Sequence, residues 1–213
     1  MKLLISICLI FSVAWASCNS FTTDAPKADT TALVVRPQGV TPPLPDKNMY
    51  APVDVSPMDM AYFPPNYPQQ KMIGSLNDPP IMRIIYSRPH LQGRNLFHDI
   101  LHYGEPWRLG ANEATELQVY EPISFDGKKL PKGRYTLYCI PQQNQWTVAV
   151  NKNVDTWGLT MDSTKDLIRV TAPVTSGKSR LEFFTIVFEK GTGKTGTLLM
   201  GWEDVEVRLP FSY

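Results

Sequence analysis

Apolar and polar residues alternate through much of the chain beyond residue 80, and this pattern predicts β-strands. In residues 205–211 every second residue is apolar and the residues between are charged or proline, which is typical of a half-exposed edge strand. Residues 181–189 are apolar on both faces, which predicts a central strand. Six more segments have strand-like composition: 81–86, 116–120, 134–140, 145–151, 167–172 and 197–202.

Turn-forming sequences separate these segments, among them Asp126-Gly127 and the Gly-rich stretch 191–193. Residues 95–101 hold the one candidate helical turn. About eight short strands joined by turns predict an all-β fold, an antiparallel β-sandwich of jelly-roll type or a barrel, with at most one short helix. A domain of about 160 residues buries roughly 70% of its unfolded surface, which is enough to fold without disulfides.

The first 17 residues have the pattern of a secretory signal peptide. After a basic start, residues 3–13 form an apolar run that is shorter than the roughly 20 helical residues needed to span a bilayer. Two processing sites fit: cleavage after Ala16 by an ordinary signal peptidase, or a lipobox in which Cys18 becomes the acylated N-terminus. Trp15 stands where a lipobox usually has an aliphatic residue. A Cys directly after the apolar run nevertheless suits an anchored protein, so lipidation at Cys18 is the favoured prediction.

Proline marks a second segment. Of the 19 prolines, 12 fall within residues 26–80, and residues 18–53 show no sustained period of 2 or 3.6. We therefore predict a Pro-rich tether over 18–53 and one folded domain over 54–213, with the aromatic and Pro-rich stretch that follows residue 54 packing on the domain edge.

Charge and composition exclude several classes of protein. The chain has 21 Lys and Arg against 20 Asp and Glu, a net charge of +1, which gives no electrostatic basis for binding nucleic acid. Hydrophobic residues make up 43% of the chain, so it is neither disordered nor collagen-like. The expected location is the cell envelope, in the periplasm or at the outer membrane, with a lipid anchor at Cys18 as the membrane contact.

Of the three cysteines, Cys8 leaves with the signal peptide and Cys18 is predicted to be acylated. Cys139 is then the only free thiol, so no intramolecular disulfide can form. Cys139 lies on a predicted strand beside Tyr135 and Leu137. A buried, inert thiol is expected there rather than a nucleophile.

All three histidines fall within thirteen residues, and His98 and His102 have the i, i+4 spacing of two ligands on one helical face. A zinc site is conceivable with Asp99, Glu105 or Glu113 as a third ligand. No Glu follows the first His as in the zincin motif, so surface or packing histidines are favoured. We assign no metal ligand and no cofactor.

A denser polar cluster stands between residues 86 and 116. Its arginines, amide and carboxylate are mixed with Trp107 and spaced by glycines, which suits a pocket for a carboxylate, phosphate or sugar. The alternative is a buried Arg–Glu network that holds loops together, and the sequence favours neither. The candidate ligand-binding residues are Arg88, Arg94, Trp107, Arg108, Asn112 and Glu113.

Other motifs do not support catalysis. Residues 191–195 resemble the end of a phosphate-binding loop, but Phe188 stands where the first glycine is required, so they predict a hairpin turn. No Gly-x-Ser-x-Gly elbow is present. Trp146, Trp157 and Trp202 suit core positions better than a sugar platform. No residue is assigned as catalytic.

The string WRLGANEAT at residues 107–115 carries a resemblance to a known family. Together with YSRP at 86–89, GR at 93–94, GRYTL at 133–137 and DTWG at 155–158, it resembles the bacterial family called domain of unknown function 2911. The resemblance runs from about residue 56 to the C-terminus. It implies exported envelope proteins, mainly of Bacteroidetes, with a β-sandwich domain and no established activity.

The family resemblance has consequences for the histidine group and for the Arg/Asn/Glu cluster. The family pattern has non-ligand residues at the positions of His98 and His102, so it implies no metal site there. Arg88, Arg94, Arg108, Asn112 and Glu113 do lie on the family's motifs.

Three functional hypotheses follow. The favoured one is a non-enzymatic lipoprotein that binds a small polar or anionic ligand, or an envelope partner, through the Arg/Asn/Glu cluster. The second is a hydrolase-type enzyme at the same cluster, with Glu113 or a histidine as general base. The third is a structural subunit of an envelope assembly.

Overall fold

A computed structural model describes residues 54–213 of the chain. The predicted signal peptide, the predicted tether and the proposed lipidation site Cys18 lie outside the described residues. Among residues 54–213, no helix is both long enough and apolar enough to span a membrane.

The described chain is built mainly from antiparallel strands. It also has one α-helical turn, α1 (Tyr67–Met72), a π-helical turn at Leu96–Ile100 and a 3-10 turn at Ser163–Lys165. The nine strands are β1 (Met58–Phe63), β2 (Met82–Ser87), β3 (Glu116–Val119), β4 (Ile123–Phe125), β5 (Lys128–Leu130), β6 (Gly133–Pro141), β7 (Gln145–Asn151), β8 (Asp166–Lys190) and β9 (Thr195–Ser212). All strand pairs are antiparallel, in the order β1-β2-β3-β6-β7-β8-β9-β4-β5. The predicted all-β fold is thus confirmed.

Strand β8 joins two groups of strands in the sheet: β1, β2, β3, β6 and β7 on one side, and β9, β4 and β5 on the other. Its first part pairs with β7 as far as Pro173, and its second part pairs with β9 from Val174 onward. The register between β8 and β9 shifts on both sides of Leu181, as expected where a long strand bends through a bulge. The predicted strands 167–172 and 181–189 are therefore two parts of one strand.

One of the two expectations about these strands needs correction. Residues 205–211 belong to β9, which lies between β8 and β4 in the sheet order, but residues 205–207 pair only with β8 and Phe211 pairs only with β4. Each paired residue of this stretch thus has a strand on one side, as predicted for an edge. Residues 181–189 form a ladder with β9 along one side only, so this stretch is not a central strand. It is not buried on both faces either: Phe183 and Val187 are 38% and 40% exposed, whereas Phe184 and Ile186 are buried.

Several elements had no clear signal in the sequence. The strands β1, β4 and β5 and the helix α1 are each three to six residues long, too short for a periodic pattern to stand out. Strand β1 is one of the two outermost strands in the sheet order, with β5 at the other end, consistent with a stretch that packs at the domain edge. The predicted hairpin turn is confirmed, because residues 191–194 join β8 to β9.

The core is one cluster of buried apolar side chains to which most of the strands and several loops contribute. Trp146 and Trp202 are fully buried, so the core interpretation holds for these two, while Trp157 is 54% exposed. Trp107 stacks on Trp202 with ring centroids 5.6 Å apart.

Cys139 is fully buried, and this burial raises the pKa of its thiol well above the usual value. The expected burial of this thiol is confirmed, and its inertness stays a prediction.

Candidate functional site

The loop between residues 106 and 116 carries most of the predicted site. Trp107 and Cys139 exchange two backbone hydrogen bonds, at 2.7 and 2.8 Å. Leu109 and Asn112 adopt positive φ angles, and the buried Thr115 hydroxyl donates to the Leu109 carbonyl at 2.6 Å. These contacts fold the loop tightly against the sheet and fix the direction of its side chains.

Arg88 lies apart from the other predicted arginines. Its Nε donates to the Phe184 carbonyl at 3.1 Å, its Nη2 donates to the Thr185 hydroxyl at 2.9 Å, and its Nη1 pairs with Asp59 at 3.1 Å. Each guanidinium nitrogen therefore has a partner within the protein. At Arg88 the geometry matches the structural network rather than the ligand pocket.

Within the described part of the chain, the Arg94 and Arg108 side chains donate only to backbone carbonyl groups. Arg94 donates to Leu91 at 2.9 Å and to His90 at 2.8 Å. Arg108 donates to Trp157 at 3.3 Å. Neither guanidinium forms an ion pair with a carboxylate of residues 54–213.

These two arginines open onto a cleft of about 490 Å³, here called the basic cleft. Its described lining contains no Asp or Glu. Burial lowers the pKa of the Arg108 guanidinium, because the charge is partly removed from water. Polar and apolar groups share the wall. The lining includes Val55, Ser56, Gln92, Arg94, Ile100, Trp107, Arg108 and Leu159.

Asn112 and Glu113 line a different cleft of about 320 Å³, here called the acidic cleft. The Asn112 amide donates to the Asp54 carboxylate at 2.9 Å, while Glu113 is exposed. No Lys or Arg belongs to the described lining. The lining is Asp54, Ser56, Met58, Ser87, Asn112, Glu113 and Trp157.

A third concavity of about 260 Å³ adjoins the acidic cleft and shares Met58, Ser87 and Glu113 with it. Its arginine, Arg134, binds both Glu116 and Asp155, and these two partners raise the pKa of the guanidinium. Because those charges are already paired, the third concavity offers less to a ligand than the other two clefts.

The predicted cluster is therefore divided. Arg94, Trp107 and Arg108 meet in the basic cleft, Asn112 and Glu113 lie in the acidic cleft, and Arg88 belongs to neither. No sequence pattern marks Asp54 as a site residue. The sequence places Trp157 in the core rather than at a site, although its position among turn residues is a sign of exposure.

The histidines do not form a common site. The π-helical turn ends at Ile100 and Leu101 is extended, so His98 and His102 do not share a helical face. His98 binds the neighbouring Asp99 at 2.7 Å, and His90 stacks on Phe183 at 4.9 Å. Within residues 54–213, no group of three or more His, Cys, Asp or Glu side chains could hold a metal ion.

Comparison with protein families gives one match. The family DUF2911, described as a protein of unknown function, matches residues 68–211. This range includes β2 through nearly all of β9 and the loop from Trp107 to Glu113. Neither a curated protein nor a solved structure matches the chain. The match covers well over half of the sequence, and the chain belongs to the DUF2911 family.

Proposed function

We propose that this domain binds a small anionic ligand in the basic cleft and does not act as an enzyme. The observation that carries the proposal is the pair of guanidinium groups on Arg94 and Arg108, which line a cleft to which no Asp or Glu of residues 54–213 contributes. The Arg108 guanidinium is partly buried, and a partly desolvated cation without a carboxylate partner is electrostatically costly. An anion bound between the two arginines would offset that cost.

The walls of the cleft suggest the rest of the ligand. Arginine forms paired, charge-assisted hydrogen bonds with carboxylates and phosphates. Trp107, Ile100 and Leu159 add apolar surface beside the arginines, as in typical small-molecule sites. The class of ligand that fits both features is a carboxylate or phosphate joined to an apolar or aromatic group.

The enzyme hypothesis fits this arrangement less well. It requires Glu113 or a histidine as a general base close to the anion-binding arginines. Glu113 lines the acidic cleft, and none of His90, His98 and His102 is among the residues that line either cleft. We therefore favour binding over hydrolysis.

N-acetyl-L-phenylalanine tests the proposal, with the uncharged N-acetyl-L-phenylalaninamide as its matched probe and inorganic phosphate as a second anion. Isothermal titration calorimetry should show the acid binding about tenfold tighter than the amide, the gain expected from a charge-assisted hydrogen bond. Arg94→Gln and Arg108→Gln should each weaken binding of the acid by about tenfold.

Lys194→Gln is the matched control, because it removes one positive charge from the β8–β9 turn and lines neither cleft. It should leave the affinity unchanged. Equal binding of acid and amide would overturn the proposal, as would failure of both the acid and phosphate to bind. Loss of affinity in Lys194→Gln equal to that in the two cleft variants would also count against it.

We also propose that the protein is exported and anchored in the cell envelope through Cys18. The support is the apolar run at 3–13 followed by Cys18 and the Pro-rich segment. Metabolic labelling with a fatty acid should mark the wild-type protein, and Cys18→Ala should abolish the label. An unlabelled wild-type protein would contradict the anchor.

A further inference from the structure

We infer that the ligand is a zwitterion, which binds through its anionic group in the basic cleft and through an ammonium group in the acidic cleft. This inference rests on the proposed function and adds a cationic half to the ligand. It derives from two neighbouring clefts of opposite charge whose charges do not neutralise each other.

The two clefts are adjacent. Ser56 lines both of them. The basic-cleft residue Arg108 donates through Nη1 to the backbone carbonyl of the acidic-cleft residue Trp157, at 3.3 Å. One elongated molecule can therefore occupy both clefts by passing Ser56.

The charges of the two clefts are opposite and free of ion pairs. Arg94 and Arg108 supply two positive charges on one side of Ser56, and Asp54 and Glu113 supply two negative charges on the other side. None of the four forms an ion pair with another residue of 54–213. A ligand with two opposite charges would complement this pattern, whereas a dianion would be repelled at the acidic end.

The acidic cleft has the groups that an ammonium ion requires. The Asp54 carboxylate is held in place by the Ser56 backbone N–H at 2.6 Å and by the Asn112 amide at 2.9 Å. The Trp157 side chain is 54% exposed and lines the same cleft. An ammonium group there can pair with carboxylates and lie against the indole face, which attracts cations.

Ser87 adds a hydroxyl to the wall of the acidic cleft. The residue is only 5% exposed and lines both this cleft and the third concavity, and its hydroxyl forms no hydrogen bond with another described residue. Buried polar groups in folded proteins are nearly always hydrogen-bonded. The Ser87 hydroxyl is therefore free to accept a hydrogen bond from a ligand ammonium group.

Two sources share this chemistry: a short peptide, with its amino and carboxyl termini, and a phosphoethanolamine headgroup. Calorimetry with two probe series separates them. The first series is Gly-Phe, Gly-Gly-Phe and Gly-Gly-Gly-Phe, each compared with its N-acetylated form. The second compares O-phosphoethanolamine with inorganic phosphate.

We expect at least one zwitterion to bind about tenfold tighter than its partner without the ammonium group, the gain of one charge-assisted contact. In Glu113→Gln, and separately in Asp54→Asn, that ratio should fall to within about twofold of one. Glu121→Gln, an exposed carboxylate that lines neither cleft, should preserve the full ratio. The series that shows the gain identifies the source.

The inference is overturned if acetylation changes no affinity at any peptide length and phosphoethanolamine binds no tighter than phosphate. It is also overturned if the gain persists in both acidic-cleft variants. Binding of N-acetyl-L-phenylalanine is measured in the same experiments. If that probe binds and the zwitterions show no gain, the proposed anion site stands while the zwitterion inference fails.

Discussion

The Tyr86 hydroxyl forms hydrogen bonds with both backbone polar groups of Ile186, as a neighbouring strand would. It accepts a hydrogen bond from the Ile186 N–H at 2.9 Å and donates one to the Ile186 carbonyl at 3.3 Å. Tyr86 is 3% exposed, and burial raises the pKa of its phenol. Arg88 satisfies the nearby Phe184 carbonyl at 3.1 Å. Side chains at the end of β2 thus cover backbone groups of β8 that have no strand partner.

Tyr86→Phe should destabilise the domain. It leaves both polar groups of Ile186 without a partner in a buried setting, at a cost of about 1–3 kcal/mol in the free energy of unfolding. Urea denaturation measures this cost. Tyr120→Phe, whose hydroxyl donates only to the Gln118 side chain, serves as the control. A loss no greater than the control's would show that the Tyr86 contacts contribute little.

Gly158→Ala should destabilise the protein and disturb the basic cleft. Gly158 has φ +76°, and a Cβ atom there would lie 2.8 Å from the Ala114 Cβ and 3.0 Å from the Arg108 Cβ. The expected loss is about 2–4 kcal/mol from backbone strain and overpacking together. Circular dichroism with urea checks the stability.

Gly127→Ala is the matched control for backbone strain alone, because Gly127 has φ +71° and open space around the added Cβ. It should lose only about 1–2 kcal/mol. Equal losses in the two variants would refute the contact between residue 158 and the Arg108 loop.

Ionisation of Tyr138 should lower the free energy of unfolding at high pH. Burial and hydrogen bonding to Asp166 at 2.7 Å raise the pKa of this phenol to about 12. The folded-state pKa lies above the unfolded value of about 10. The contribution of the neutral Tyr138 phenol to the free energy of unfolding is therefore complete below pH 10. It is lost as pH rises toward 12, and amounts to up to about 3 kcal/mol.

The measurement is the free energy of unfolding from pH 9 to pH 12 in the wild type and in Tyr138→Phe. The variant should show a shallower decline, because its residue 138 cannot titrate. Parallel curves for the two proteins would contradict the raised pKa.

Cys139 should resist alkylation in the folded protein. The side chain is fully buried and its pKa is raised well above the usual value by that burial, so little thiolate forms and access requires unfolding. Peptide mass spectrometry after iodoacetamide treatment at pH 8 should show labelling at least about 100-fold slower than in guanidinium. Equally fast labelling in both conditions would refute the buried position.

The strands were the most predictable part of the fold. The segment 145–151 was predicted at the same bounds as β7, and 134–140 lies within β6. The joining of 167–172 and 181–189 into β8 was not predictable, because the residues between them carry turn-like Ser and Gly that here form a strand with shifted register. Tertiary pairing with β9 overrides the local preference of those residues.

The site was predicted in composition but not in arrangement. Arg94, Trp107 and Arg108 do meet in one cleft, as the cluster suggested. Arg88 belongs to the motif YSRP that carries the resemblance to the DUF2911 family. Its guanidinium nevertheless binds β8 residues about 100 positions away. No local pattern reports such a distant partner.

The sequence by itself determined the all-β class, the β8–β9 hairpin turn, the buried thiol at Cys139 and the family. These depend on alternation, turn residues and short motifs, all of which act over a few neighbouring positions. Only the tertiary structure decided which charges stand together. Asp54, Glu113, Arg108 and Trp157 come from three separate stretches of the chain, and packing of the loops at the sheet divides them into clefts of opposite charge.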